Sequence, residues 1–235
     1  MRLLAGPLDV TDELQAQKAV EAAVARFGRI DVLLNNAGFG LLGAVEEASA
    51  QDVERLYRTN VFGLLAVTRA VLPQMRAQKS GRILNISSIG GYRGAAGFGV
   101  YCSTKFAVEG LSEALHTELA PLGIKVTVVE PGYFRTDFLD ATSLSVSGNR
   151  ISDYNNTSGH VRQVAVDLNH EQPGDPEKLA QVLVKFVDAP NPPVRLPLGS
   201  DTVRTIEAKH AADAAILAEW RSVSVSTDFA SPQAA

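Results

Sequence analysis

The sequence is poor in cysteine and has no long hydrophobic run. Cys102 is the single cysteine among 235 residues, which excludes an intrachain disulfide and a zinc site built from cysteines. No stretch approaches the roughly 18 uninterrupted apolar residues that a membrane-spanning helix requires, and the first residues lack the apolar core of a secretory signal. We therefore expect a cytoplasmic protein, because the cytoplasm keeps thiols reduced.

The charges are nearly balanced and are scattered along the chain. Acidic residues number 26 and basic residues 22, and there is no basic cluster that would bind nucleic acid or an anionic membrane. With 46% hydrophobic residues the chain can bury the core of one compact domain. We expect a single domain over residues 1–235 whose partners are small molecules, with no nucleic acid and no membrane among them.

Short apolar runs alternate with helical patterns along the chain. An apolar run over residues 2–10 leads into Thr11, a candidate N-cap, and helical spacing then continues up to Gly28. Further strands are predicted at 31–34, 83–86, 124–129 and 194–198, and further helices at 49–78, 101–122, 175–187 and 202–220. Pro73 should bend or divide the helix over 49–78. The alternation predicts an α/β fold with a doubly wound, Rossmann-like parallel sheet covered on both faces.

Two segments lack a clear period. Residues 136–173 are rich in Ser, Asn, Gly and Thr, and the end of the chain is rich in Ser and Ala. Such composition favours loops over packed elements. We expect a mobile substrate loop over residues 137–175 and a flexible tail over residues 222–235.

Tyr101 and Lys105 lie four residues apart at the start of a predicted helix, so both side chains project from one face. A lysine ammonium stabilises a phenolate and lowers the phenol's pKa from its ordinary value of about 10. The spacing alone also occurs by chance on many solvated helices. Ser88 follows a predicted strand, and Asn60 lies inside a helix, where asparagine is disfavoured unless it has a specific hydrogen-bonding role.

Five motifs follow one another in the order that one enzyme family shows. They are Asn35-Asn36-Ala37-Gly38, Asn60, Ser88, Tyr101-Cys102-Ser103-Thr104-Lys105 and Pro131-Gly132. On these motifs, residues from about 3 to 200 resemble the short-chain dehydrogenase/reductase family, single-domain branch. The segment from Pro131 to Phe138 and the Ser-Thr-Asp-Phe near the end resemble its hydroxysteroid- and retinol-dehydrogenase-like subgroup.

The resemblance implies an NAD(P)-dependent oxidoreductase that interconverts a secondary alcohol and a ketone. It implies that Tyr101 is the general acid in reduction and the general base in oxidation. Lys105 would lower the pKa of Tyr101 and hold the nicotinamide ribose, and Ser88 would donate a hydrogen bond to the substrate oxygen. Asn60 would retain a water that links Lys105 to solvent. The cofactor would be NADP or NAD, with NADP preferred, no metal is implied, and the assembly would be a homodimer or homotetramer.

Further positions match cofactor-contacting positions of the family. The resemblance assigns Asp9 and Val10 to the adenine ring, Asn35, Ala37 and Gly38 to the adenosine side, and Pro131, Gly132, Phe134 and Thr136 to the nicotinamide amide. Asn and Gly after strands also occur in plain turns, which is the alternative at these positions. Cys102 and His116 fit packing better than catalysis or metal binding, whereas Tyr92, Phe98 and Tyr133 either line a pocket or plug loops.

The sequence departs from the family at its N-terminus, since no Gly-x-x-x-Gly-x-Gly precedes Asp9. That turn lets backbone N–H groups and a helix N-terminus approach the pyrophosphate, so dinucleotide affinity should collapse without it. The absent first strand is central in the family's sheet, so its loss should leave backbone groups unpaired and an apolar face uncovered. Three explanations compete: a start at Met1 chosen wrongly within a longer reading frame, which we favour, a truncated paralogue, or a partner that supplies the strands.

Two other functions are open on the sequence alone. A chain without the glycine-rich turn could be a non-catalytic regulatory or interaction protein that does not bind dinucleotide. The same residues could also serve epimerase or dehydratase chemistry, although the short chain and the Asn-Asn-Ala-Gly segment argue against it.

Overall fold

The structure is a computed structural model that describes residues 3–229. In chain order its elements are α1 (Glu13–Phe27), β1 (Val32–Asn35), β2 (Gly40–Leu42), α2 (Ala50–Tyr57), α3 (Leu64–Gln78), β3 (Gly81–Ile86), α4 (Gly99–Leu119), β4 (Ile124–Pro131), β5 (Leu144–Val146), α5 (His160–Leu168), α6 (Pro176–Phe186), β6 (Arg195–Leu198) and α7 (Ser200–Val225).

The main sheet has four parallel strands in the order β1-β3-β4-β6, and β2 and β5 form a separate parallel pair. Strand β4 lies inside the sheet and is buried on both faces. Val126 packs with helices α1, α3 and α4 on one face, whereas Val129 packs against Leu183 of α6 on the other. The α/β fold with a Rossmann-like parallel sheet is therefore confirmed.

The helix caps agree with those expected from the sequence, except that the N-cap of α1 lies one residue later than predicted. Ser49 caps α2 by accepting a hydrogen bond from the Asp52 N–H at 3.1 Å, and Gly28 ends α1 in the left-handed region at φ 82°. Asp12, not the predicted Thr11, caps α1, because its carboxylate accepts from two backbone N–H groups of the first turn. The Thr11 hydroxyl instead donates to the Asp9 carboxylate.

Pro73 does not end α3, which continues to Gln78. Its neighbours Val71 and Met75 are buried in the core, and this packing offsets the hydrogen bond that proline removes. The departure from α-helical geometry comes earlier, where residues Arg58–Gly63 form a π-helical turn between α2 and α3.

The expected loop over residues 137–175 is wrong in part, since it contains β5 and α5. Strand β5 has three residues and pairs with β2, about a hundred positions earlier in the chain. Helix α5 carries only a short apolar stripe, in which Ala165 is buried and Val161 is partly buried against the cluster around Tyr101. The expected flexible tail is also wrong at its start, because α7 continues to Val225, and residues 230–235 lie outside the described residues.

The apolar run before Asp9 forms no strand, since residues 3–9 have no regular secondary structure. Within residues 3–229, β1 therefore pairs with β3 alone. Val32 and Leu34 of β1 are 42% and 47% exposed over the described part of the chain. Over the same residues, no helix combines the length and apolar character needed to cross a bilayer.

Candidate active site

The first turns of α4 carry Tyr101 and Lys105, both buried. The Lys105 Nζ atom lies 5.8 Å from the centre of the Tyr101 ring and donates a hydrogen bond to the Ile86 carbonyl at 2.9 Å. Ile86 is the last residue of β3. The structure therefore brings the start of α4 against the carboxyl end of a central strand, as the sequence predicts.

Ser88 lies two residues beyond β3 and begins a short turn, where its Oγ accepts from the Gly90 N–H at 3.0 Å. A Cβ placed on Gly90 would lie 3.5 Å from both the Ser88 Oγ and the Tyr101 Cε1. The Ser88 hydroxyl and the Tyr101 ring therefore adjoin the same glycine. The absence of a side chain at position 90 lets this loop pack closely against the tyrosine.

Asn60 is buried in the π-helical turn and joins two parts of the site. Its Oδ1 accepts from the Phe39 N–H at 3.1 Å, and its Nδ2 donates to the Phe39 carbonyl at 3.0 Å and the Thr104 hydroxyl at 3.2 Å. The side chain therefore fixes the loop after β1 beside the residue that precedes Lys105.

Gly38 lies on the solvent-exposed side of Asn60 and Lys105. A Cβ at this position would be 3.1 Å from the Asn60 Oδ1 and 3.7 Å from the Lys105 Nζ. Residues 37 and 38 are exposed, so a ligand can reach them. The four residues predicted to be catalytic thus lie close together at the carboxyl end of β3, and Gly38 adjoins them. They are Asn60, Ser88, Tyr101 and Lys105.

Burial dominates the electrostatics of the site. It raises the pKa of Tyr101 above its ordinary value, and the Ser88 hydroxyl opposes this shift. Burial lowers the pKa of the Lys105 ammonium to about 8, and the Glu109 carboxyl opposes that shift. Lys105 is not among the groups that shift the Tyr101 pKa in this structure, so the expected lowering is not found and Tyr101 is a protonated phenol at neutral pH.

Aromatic residues surround the tyrosine. The ring centres of Phe98 and Phe138 lie 6.0 and 5.6 Å from that of Tyr101, and all three belong to an apolar cluster between β2, β5 and α4. Phe98 thus lines the site, as one interpretation of the sequence has it. Tyr92 instead contacts His210 of α7, and Tyr133 is 41% exposed.

Asn35 is buried, and its side chain points into the core rather than toward a ligand. Its Nδ2 donates to the Thr68 hydroxyl at 3.0 Å and to the Asn85 Oδ1 at 2.8 Å, and the Asn85 Nδ2 donates to the Ser112 hydroxyl at 2.9 Å. The Nδ2 atom is thus occupied, which leaves the backbone and the Oδ1 atom of Asn35 for the predicted ligand contact. The sequence does not reveal this chain of polar groups, because its members come from four separate elements.

The N-terminal pair of predicted cofactor residues lies beside α1. The Asp9 carboxylate accepts from the Thr11 N–H at 2.9 Å and is exposed. Val10 packs against Gly63, where a Cβ would approach its Cγ2 to 2.6 Å. This contact connects Val10 to the turn that carries Asn60.

The predicted nicotinamide segment follows β4, which ends at Pro131. A Cβ on Gly132 would meet the Asp201 carboxylate at 2.2 Å, so this glycine allows Asp201 to accept from the Tyr133 N–H at 2.8 Å. Phe134 bridges to Gly174, and the Thr136 hydroxyl accepts from the Phe138 N–H at 3.4 Å.

Cys102 is buried in the apolar cluster around Tyr101, and His116 contacts the Val126 carbonyl through Nδ1 at 2.9 Å, so both have packing roles. Among the described residues, Asp137, Asp140 and His170 bring possible metal donors within 4.8 Å of one another. Two of the three are exposed, and His170 already pairs with Asp140 at 3.1 Å. We assign no metal to them.

Comparison with known proteins identifies the family. Residues 1–145 match the family described as short chain dehydrogenase. This chain belongs to the short chain dehydrogenase family. It is 42% identical over 193 residues to the 3-ketodihydrosphingosine reductase of Bacteroides thetaiotaomicron, a match that covers 82% of this chain and 71% of that protein.

Two solved structures of the family extend the comparison. A short-chain dehydrogenase from Streptomyces avermitilis superposes with a TM-score of 0.87 at 43% identity, covering 94% of this chain and 80% of the other. ElxO with NADP bound superposes with a TM-score of 0.66 at 29% identity, covering 84% of this chain and 77% of that one. The family and the oxidoreductase class agree with the motifs found in the sequence.

Proposed function

We propose that this short chain dehydrogenase is an NAD(P)-dependent oxidoreductase that interconverts a secondary alcohol and a ketone, with Tyr101 as general acid and base. The observation that carries the proposal is the buried Tyr101 hydroxyphenyl group beside Ser88 and Lys105, next to the side-chain-free position at Gly38. Acid–base groups at the mouth of a parallel sheet are suited to a bound carbonyl compound.

The nicotinamide end of a dinucleotide fits the residues present. An ammonium has three N–H donors, and among residues 3–229 only the Ile86 carbonyl accepts from Lys105. Its other donors are free for two ribose hydroxyls, and Gly38 leaves room beside them. The cofactor, when bound, exchanges a hydride with the substrate carbon. NADP is our preferred cofactor, and the NADP bound to the related ElxO supports this preference.

The protein residues handle the proton. In reduction, the Ser88 hydroxyl donates a hydrogen bond to the substrate oxygen, and the Tyr101 O–H supplies the proton that completes the alcohol. Burial keeps Tyr101 protonated before this step. The Lys105 ammonium stabilises the phenolate afterwards, and Asn60 holds the adjoining loop in place. In oxidation, the phenolate accepts the proton instead.

We propose a lipophilic substrate, of steroid, retinoid or other lipid type. Phe98 and Phe138 flank Tyr101, so a substrate that reaches its hydroxyl contacts apolar surface. The 3-ketodihydrosphingosine reductase to which the chain is similar carries a lipid ketone in its name. We also propose a cytoplasmic homodimer or homotetramer, as the family resemblance suggests.

A non-catalytic scaffold is the second candidate function. It is favoured by the irregular backbone of residues 3–9, where the described part of the chain forms neither a strand nor a glycine-rich turn. Without backbone N–H groups at a helix N-terminus, a pyrophosphate lacks its usual binding site.

Titration of NADPH and NADH separates the two candidates. We would measure binding and reduction of lipophilic ketones with the 235-residue chain and with the product of the same reading frame begun upstream. The enzyme proposal expects micromolar binding and turnover in at least one of them. Absence of both in each protein would leave the scaffold function.

Tyr101→Phe tests the assigned role. It should abolish turnover and keep the thermal midpoint of unfolding and dinucleotide binding, because only the proton donor is removed. Tyr57→Phe of α2 is the matched control, because the Tyr57 hydroxyl contacts Ser103 of α4 at 2.8 Å, two residues beyond Tyr101. This variant should retain full turnover. Activity that survives Tyr101→Phe would disprove the mechanism.

A further inference from the structure

A cluster of charged side chains, two of them buried carboxylates, lies next to the candidate active site. Arg195 of β6 contacts the carboxylates of Glu109 at 2.5 Å, Glu130 at 2.6 Å and Glu113 at 2.9 Å. Glu109 and Glu130 are 3% and 1% exposed. We call these four residues the Arg195 cluster. Three carboxylates share one guanidinium, so the formal charges do not balance within the cluster.

Glu109 is the member of the Arg195 cluster that faces the active site. It lies one helical turn after Lys105 on α4, so the two side chains share a face. A Cβ on Gly91 would lie 2.9 Å from the Glu109 Oε1 and 2.4 Å from the Ser87 Oγ. Glycine at position 91 therefore lets the carboxylate reach the residue just before Ser88.

We propose that Glu109 is a positioning residue for proton transfer, whose carboxylate, held by Arg195, keeps Lys105 in its ammonium form beside Tyr101. The proposal rests on the proposed function, because it assigns a task to the same acid–base group. It adds a residue that touches neither substrate nor cofactor.

The charged and titratable groups around Glu109 and its partner Arg195 come from several elements. Lys105 and Glu113 come from α4, Glu130 from β4 and Arg195 from β6, while the Tyr92 ring lies 5.4 Å from the guanidinium and contacts His210 of α7. Burial and Glu130 raise the pKa of Glu109 to about 7, against the effects of Ser87 and Arg195.

The titrations of Glu109 and Lys105 overlap in a narrow range. Above about pH 7 Glu109 becomes a carboxylate. Burial lowers the pKa of the Lys105 ammonium to about 8, and the negative charge of Glu109 opposes this lowering. The ammonium therefore persists to higher pH than it would beside a neutral residue 109.

Glu109→Gln tests this effect without relying on turnover. The 13Cε signal of Lys105, assigned in lysine-labelled protein by its loss in Lys105→Arg, reports the pKa of the ammonium directly. We expect a fall of about one unit in Glu109→Gln, because an opposite charge nearby is removed. In active protein, the alkaline limb of the ketone-reduction profile should fall by the same amount.

Glu113→Gln is the matched control, since it removes an exposed partner of the same Arg195 one turn further along α4. It should leave the Lys105 midpoint in place. A shift in Glu109→Gln no larger than in Glu113→Gln would overturn the proposal, whether or not the protein turns over ketones. If Glu109→Gln does not fold, the wild-type Lys105 signal must show an inflection at the pH where Glu109 ionises, and its absence would overturn the proposal equally.

Discussion

Gly38 leaves space for a ligand beside Asn60 and Lys105 at the candidate active site, because it has no side chain. Its hydrogen faces Asn60 and Lys105, and there is no space for a methyl group at ordinary contact distance from the Asn60 Oδ1. Because Asn60 also holds the loop backbone at Phe39, any displacement of its amide moves this part of the site.

Gly38→Ala should lower turnover by about tenfold or more, because displacement of Asn60 misplaces Lys105 and narrows the space for a ribose. The thermal midpoint of unfolding should change little, since residue 38 is exposed. Steady-state ketone reduction and a thermal melt measure the two effects.

Gly110→Ala is the matched control on α4. Apart from the backbone of its own helical turns, no atom lies within 4 Å of the added methyl group, and alanine stabilises a helix interior by about 0.5–1 kcal/mol relative to glycine. We expect unchanged turnover and a slightly higher melting temperature. Equal losses of activity in both variants would contradict the role given to Gly38.

At the residue scale, the proximity of the proposed catalytic residues could be predicted because each member belongs to a short motif with a fixed spacing. Tyr101 and Lys105 share one helix face, and Ser88 directly follows a strand segment. Glu109 could not be singled out in this way. Its partner Arg195 is 86 positions away, and only the folded sheet brings the two together.

The wall of the apolar cluster depends on contacts between elements that are distant in sequence. Glu47, in the turn after β2, is buried and pairs with Arg162 of α5 at 2.7 Å. Its carboxylate also accepts from the N–H groups of Ala44 at 2.8 Å and Ile151 at 3.0 Å. One side chain therefore fixes a turn, a loop and a helix to one another.

Glu47→Gln should cost about 3 kcal/mol at neutral pH, because it leaves the largely buried Arg162 guanidinium without its counter-charge. Hydrogen bonds to Arg162 and to backbone N–H groups lower the folded-state pKa of Glu47 from its ordinary 4.5 to about 2. The stabilisation is thus fully present above pH 4.5 and is lost as the pH falls toward 2. Urea unfolding of both proteins at neutral pH and at about pH 3 should show the difference shrinking.

Glu54→Gln provides the comparison for an exposed pair. Glu54 and Arg58 lie 2.9 Å apart with both side chains 63% exposed, so its loss should cost less than about 1 kcal/mol. If Glu47→Gln and Glu54→Gln had the same free energy of unfolding, the ion pair between Glu47 and Arg162 of α5 would not stabilise the fold.

At the element scale, the long strands and helices could be predicted and the short ones could not. Strand β4 carries a run of buried residues that is apparent in the sequence. Strand β5 is only three residues long and is held by pairing with β2. Helix α5 has only nine residues, so its apolar stripe is short, and it is held by Val161 and Ala165 in the apolar cluster together with the ion pair to Glu47.

The whole molecule is asymmetric across its main sheet. Strand β4 has neighbours on both sides, whereas β1, over the described part of the chain, has one neighbour and exposes Val32 and Leu34 on one face. A strand with a free edge and an apolar face is a site of self-association in solution.

Leu34→Lys tests this property and the hypothesis of an upstream start together. In the 235-residue chain the side chain is 47% exposed, so lysine should reduce light scattering at high protein concentration with little change in urea stability. If the reading frame begun upstream supplies strands and helices that cover β1, the same lysine becomes buried there and should destabilise that longer protein by several kcal/mol. Opposite signs in the two proteins would place β1 inside the complete sheet, whereas a harmless substitution in both would show that the upstream residues do not cover this face.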